Sequence, residues 1–453
     1  MTVDRSRLPV PGHPKPFAFP KIQKSTLPNG LRVWTVRHAQ VPLLSFALLI
    51  RRGSADDPQG KDGLAALTAD MLDEGSGDLS SIQMHEALAR IGAQLETDIG
   101  SDAATVGVTA LSRHAGRAID LLGDLVVRPA LREEDVARVR QLRLHRLSQM
   151  RDVPSALADR AFIRMLYADH PYGHAPIGSE RTLGALTADD VRRFHRQAVT
   201  PSSSTLMAVG DCEHDEVVRL AARAFGDWSG EAIAGEAREP ALPTPARLNI
   251  VPRAGAPQSE LRIGHVAVSR STPDYHAIVA ANMVLGGQFV SRINLNLRED
   301  KGFTYGARTS FDFRRRPGPF LLQAGVQTSA TAQAIEESLG EIAAIRGSRP
   351  VSDAELSLGV AALTRGYARN FETAEQIARA LTQLALYDLP DDYYEQFVPR
   401  IEQVTPDTVT EAMARHLDPS RLTTVVVGDL DRVGQELSAL GLGDPVTLAT
   451  DAL

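Results

Sequence analysis

Hydrophobic and polar positions alternate over Leu31-Arg32-Val33-Trp34-Thr35-Val36, which predicts a strand. Asn29-Gly30 just before it favours a tight turn with positive φ. A second apolar run, Leu43 to Arg52, predicts another strand that ends at Gly53. From Gly63 to Leu72 the period becomes helical, with Leu64, Leu67, Met71 and Leu72 on one face. A helix over Ser80–Ile91 closes at Gly92. Alternation returns at Gln94–Ile99 and Thr105–Leu111. Helices are expected at Glu133–Met150, Ser155–Tyr167 and Ala188–Ala198, ahead of a buried strand at Thr205–Val209.

The first 21 residues, with five prolines and no period, read as an irregular arm. Trp228–Pro252 contains three prolines within Pro240–Pro245 and reads as an interdomain linker, with its core at 229–250. The same grammar then resumes: strand 261–268, helices 273–285 and 289–300, and strands near 304–313 and 319–327. Leu186–Asp211 aligns without a gap on Val404–Asp429 at a constant offset of 218. Thr187, Asp189, Val191, Pro201, Ser202, Thr205, Val209, Gly210 and Asp211 all recur. Each copy encodes a helix, a Pro-Ser turn, a buried strand and a Gly-Asp exit, the mark of an internal duplication. The expected fold is α+β: an N-terminal domain over 22–228 and a C-terminal domain over 251–453, each a sheet packed with several helices.

Composition narrows the function. Among 453 residues, 49 basic and 56 acidic side chains leave a net charge of −7, which argues against a general nucleic-acid binder. Apolar residues at 43% and charged residues at 23% are the balance of a globular chain. One cysteine, Cys212, forms no internal disulfide and no cysteine-rich metal module; a buried, neutral thiol is the default. The longest apolar stretch, Val41–Ile50, is too short to cross a bilayer. The polar, proline-rich start has no apolar signal region, so the expected compartment is the cytoplasm, or the periplasm if a leader has been trimmed.

TLPNGLRVWTV, the glycine-led helix at Gly63, the HPYG loop at His170–Gly173 and GGQFVSRINLNLREDKGFTYG at Gly286–Gly306 occur in order. Together they resemble the zinc peptidase family of insulinase, pitrilysin and mitochondrial processing peptidase. The resemblance runs from about residue 22 to 430 and fits the short, two-domain members that work as dimers. It implies mostly antiparallel sheets and half of a clam-like chamber. Catalytic members carry H-x-x-E-H on the first helix: two histidines bind zinc and the glutamate activates water. Here Ala66 and Asp70 stand where the histidines belong, and Ala69 where the glutamate belongs. The family's third ligand falls on His145 or Arg146, within the basic run Arg138–Arg151. Asp70 and His145 alone make an incomplete shell, so no catalytic zinc is expected in this chain.

Arg298, in the last turn of helix 289–300 before Gly302, and Tyr305, opening the next strand, are the candidate site. They offer directional donors to a peptide carbonyl or a developing oxyanion. In the related peptidases, matching residues contact substrate across the cavity from zinc. His170 and His174 have helical metal-pair spacing, but Pro171 and Gly173 oppose a helix; His85 and His114 are isolated. No G-x-S-x-G or phosphate-binding glycine loop occurs. The leading expectation is a non-catalytic, substrate-binding subunit of a heterodimeric zinc metalloendopeptidase, inactive alone. A homologous partner bearing H-x-x-E-H supplies the zinc, and the substrate is a peptide or unfolded polypeptide. The alternatives are a structural core subunit and a peptide-binding protein without hydrolysis.

Overall fold

The architecture comes from a computed structural model, which describes residues 17–230 and 242–449. Two six-stranded sheets carry the fold. The first runs Ile22–Thr26, Arg32–Arg37, Ser204–Gly210, Leu43–Ile50, Ala104–Leu111, Gln94–Ile99. The second runs Val446–Thr447, Leu248–Pro252, Thr423–Gly428, Gln258–Val266, Pro319–Gln327, Thr304–Phe311. The duplicated strands Ser204–Gly210 and Thr423–Gly428 hold the same position in their sheets, each between a parallel and an antiparallel neighbour. Most pairings are antiparallel, so the duplication read from turn chemistry is a duplication of whole sheets.

Each sheet buries one face under helices of its own half. In the N-terminal domain, Leu44, Phe46, Leu48 and Val106 pack against Met84, Leu88, Leu122 and Phe225. The opposite face is covered by a helix from the other half. Pro154–Tyr167 lays Ala158, Ala161 and Phe162 on Val425 and Val427 of the C-terminal sheet. Ala374–Leu386 lays Ile377, Leu381 and Leu384 beside Ala47, Leu49 and Val209 of the N-terminal sheet. The offset of 218 carries Pro154–Tyr167 onto 372–385, so the exchange follows the repeat. Gly264 makes room for it: a Cβ there would lie 2.9 Å from the Phe162 ring and 1.9 Å from the Phe320 carbonyl oxygen.

Several segments differ from the sequence expectation. The last residues of the expected linker, Leu248–Pro252, form a strand parallel to Thr423–Gly428, because Leu248, Ile250 and Val251 are apolar enough to enter the core. Residues 231–241 of that linker lie outside the described residues, as do residues 1–16 of the expected arm. Phe19, from the end of the arm, is buried edge-on against Phe371 at 5.4 Å. The helix expected over 273–285 is α-helical only across Tyr275–Asn282 and widens into a π turn at Met283–Gly287. The helix expected over 289–300 is a short α turn, Arg292–Asn294, followed by a π-helical turn, Leu295–Asp300. No helix among the described residues is long and apolar enough to cross a membrane.

Candidate functional site

The helix Leu64–Asp70 starts from Gly63, whose φ of +95° suits glycine and whose absent Cβ clears the Ile177 carbonyl oxygen. Asp57 holds this start: its carboxylate accepts from the Gly63 N–H at 2.7 Å and the Ala65 N–H at 2.6 Å. His174 Nε2 lies 3.1 Å from the same carboxylate. Burial pushes the Asp57 carboxyl up from its ordinary range. Burial works to lower His174, but the bond to Asp57 outweighs it and holds the imidazole above its usual value. The HPYGH loop therefore anchors the first helix, while His170 Nδ1 accepts from the Tyr172 N–H within the loop itself.

On that helix Ala66 and Ala69 are buried and offer no side-chain donor atoms to a metal. Asp70 is half exposed, and its carboxylate accepts from Arg143 Nε at 2.6 Å. A second guanidinium nitrogen of Arg143 donates to the Ala66 carbonyl at 2.9 Å. His145 does not reach this place. It is exposed, with Nε2 3.1 Å from the Gln141 amide nitrogen. The reason is helical phase: Val136, Val139 and Leu147 are the buried stripe of Glu133–Met150, and position 143 falls on that stripe while 145 falls off it. A guanidinium is a fixed cation without lone pairs, so Arg143 satisfies Asp70 and cannot itself ligate metal. The donor set at 66, 69, 70 and 143 does not fit zinc. Among the described residues no group of three or more His, Cys, Asp or Glu side chains could hold a metal ion.

The other candidate cluster is built differently. The edge strand Thr304–Phe311 bulges between Thr304 and Ala307, so Tyr305 and Gly306 together face Gly325 alone. The Thr304 hydroxyl fixes the bulge, donating to the Gly325 carbonyl at 2.7 Å and accepting from the Gly306 N–H at 3.1 Å. The kink turns Tyr305 outward, 91% exposed. Arg298 arrives from the π-helical turn, closed by Gly302 at φ +65° and by the Phe303 N–H donating to Leu297 O. Its guanidinium lies 4.0 Å from the centre of the Phe289 ring, a cation–π stack, with Glu299 3.5 Å away. Arg298, Tyr305 and Phe289 line one cleft of about 870 Å³, with Asn294, Arg308 and Gln323 among its other walls. Asn294 ties the two segments together: its amide oxygen accepts from the Ala307 N–H at 2.9 Å. The structure thus brings Arg298 and Tyr305 to one cleft, and sequence spacing did not single out Phe289 or Arg308. In the sequence Phe289 is marked only by its place in G-G-Q-F-V, and its exposure is supplied by the fold.

The remaining candidates have local partners. His85 Nδ1 is 3.0 Å from Ser81 O and His114 contacts Arg113. Cys212 is buried, and burial pushes its thiol up to about 11.

Comparison with known proteins places this geometry. Residues 32–179 match the family described as "Insulinase (Peptidase family M16)", and residues 185–363 match "Peptidase M16 inactive domain". An uncharacterized zinc protease of Streptomyces coelicolor is 24% identical over 415 residues, covering 90% of each chain. One of Mycobacterium tuberculosis is 26% identical over 414 residues, covering 90% of this chain and 93% of that one. The crystal structure of a peptidase M16 inactive domain from Pseudomonas fluorescens superposes with a TM-score of 0.85 at 24% identity, covering 90% of this chain and 98% of that chain. A protease from Helicobacter pylori superposes with a TM-score of 0.84 at 18% identity, covering 90% of this chain and all of that one. The two matched segments, the duplicated sheets and the relatives agree: the chain belongs to the insulinase family of peptidases, family M16, as a two-domain member.

Proposed function

We propose that this chain is the non-catalytic, substrate-binding subunit of a heterodimeric zinc metalloendopeptidase. The observation that carries the reading is a contrast between the two halves. At the first helix, two alanines and an arginine-bound aspartate stand where a metal shell would be. In the second half, Arg298 and Tyr305 line one cleft, with Tyr305 exposed and without a hydrogen-bond partner among the described residues. A homologous partner bearing H-x-x-E-H supplies the zinc, its histidines and the base. This chain supplies the opposing wall, where the Arg298 guanidinium and Tyr305 hydroxyl donate to a carbonyl of the bound peptide. The strand Gln94–Ile99, at the edge of the first sheet, offers a place for a peptide to add as a further strand, with affinity from its backbone.

Association is the direct test. Two domains make half of the chamber, so mixing this chain with a homologous H-x-x-E-H chain should give a 1:1 complex by light scattering, with an interface well above roughly 1,000 Å². Elution of both chains as monomers, alone and together, would remove the heterodimer reading.

A further inference from the structure

We infer that the Arg298–Tyr305 cleft selects acidic peptides and that Arg308 is the residue that sets this preference. The inference rests on the peptide-binding reading and adds a substrate class to it.

The charge in the cleft is unevenly satisfied. Arg308, Gln323 and Arg262 form one cross-strand row, since Arg308 pairs with Gln323 and Gln323 with Arg262. At the inner end of the row Arg262 is buried and doubly neutralised, by Asp159 at 2.6 Å and Glu260 at 3.0 Å. At the outer end Arg308 is exposed on the edge strand and has no hydrogen-bond or ion-pair partner among the described residues. Arg298, lining the same cleft, is stacked on Phe289 and has the half-exposed Glu299 at 3.5 Å as its carboxylate neighbour. Three arginines therefore line the cleft with one carboxylate, Glu260, which is already engaged by Arg262. With Asp159 and Glu260 on Arg262 and Glu299 beside Arg298, Arg308 is the guanidinium of this cleft left without a carboxylate partner among the described residues.

Two guanidinium groups beside exposed aromatic rings define what fits. Phe289 is 60% exposed and Tyr305 more so, giving apolar faces for peptide side chains. Arg298 and Tyr305 are occupied with a backbone carbonyl in the proposed pose, which leaves Arg308 to meet a side chain. An Asp or Glu there gains a charge-assisted, bidentate partner, and a Lys or Arg meets like charge.

The test uses three fluorescein-labelled nine-residue extended peptides, identical except for Glu, Gln or Lys at the central position and its two neighbours. Their binding to the full chain is followed by fluorescence anisotropy. Expected is the order Glu, Gln, Lys, with Glu about tenfold tighter than Lys at low salt and the gap closing at about 0.5 M salt. Arg308→Gln should compress the order, and Arg308→Glu should reverse it. Because Arg308 is exposed, both variants should keep the wild-type melting curve. Equal binding of the three peptides, weakened by Arg298→Ala and Tyr305→Phe, would overturn the acidic preference and leave the peptide-binding cleft standing. An acidic preference that survives Arg308→Glu would move selection elsewhere and overturn the role of Arg308. Failure of all three peptides to bind would overturn the cleft as a peptide site, and this inference with it.

Discussion

Tyr305→Phe should slow peptide cleavage by the assembled heterodimer by about 10²- to 10³-fold, the usual cost of losing one donor to a developing oxyanion. The structure makes this substitution clean. The side chain is 91% exposed and the bulge is held by Thr304 and backbone groups, so removing the hydroxyl leaves folding intact. Arg298→Ala should slow turnover comparably but also gives up the stack on Phe289, so a small part of its effect is lost positioning. Steady-state kinetics on the complex, with assembly monitored by light scattering, measures both. Wild-type turnover from the double variant would make the pair structural and recast the chain as a scaffold.

Phe162→Ala should destabilise the isolated chain by about 3–5 kcal/mol, the range for deleting a fully buried aromatic ring. Phe162 is 1% exposed and belongs to the N-terminal half, yet its ring fills the space left by Gly264 in the C-terminal sheet. The reciprocal helix does the same for the N-terminal sheet through Leu381 and Leu384. Neither sheet covers both faces without the other half, so unfolding should remain a single transition that shifts as a whole in urea melts. A loss below about 1 kcal/mol, or two separated transitions in the wild type, would contradict the exchanged-helix arrangement.

Elements of the N-terminal half with clean periods were legible, such as the alternation at Gln94–Ile99 and Ala104–Leu111 and the capped helix Ser81–Arg90, whereas the helices Ala115–Val127 and His214–Phe225 were not singled out. The duplication was legible because turn chemistry at Pro201-Ser202 and Pro419-Ser420 fixes the distance from each helix to its buried strand. The exchange of helices was not, since an apolar stripe states that a face is buried and is silent on which sheet buries it. The run Leu248–Pro252 was absorbed into the linker because nearby prolines outweighed Leu248, Ile250 and Val251. The π turns at Met283–Gly287 and Leu295–Asp300 break a 3.6 period only locally, which a hydrophobic pattern does not register. Arg143 is the instructive case at the first helix. Counted along the chain it is one arginine in a basic run, whereas the phase of Val136, Val139 and Leu147 turns it toward Asp70 and His145 away. Arg298 and Tyr305 were selected through the family resemblance of Gly286–Gly306, and their shared cleft depends on a bulge and on Asn294, which only the fold supplies.

Metal content measured with cleavage tests the central claim most directly. The chain is purified alone and after co-expression with a homologous H-x-x-E-H chain, and each sample is assayed for zinc by mass spectrometry and for chelator-sensitive peptide hydrolysis. The account predicts no stoichiometric zinc and no cleavage for the chain alone, and one zinc with cleavage for the heterodimer, lost when the partner's histidines are replaced. Stoichiometric zinc and chelator-sensitive cleavage by this chain alone, abolished by Asp70→Ala, would contradict it.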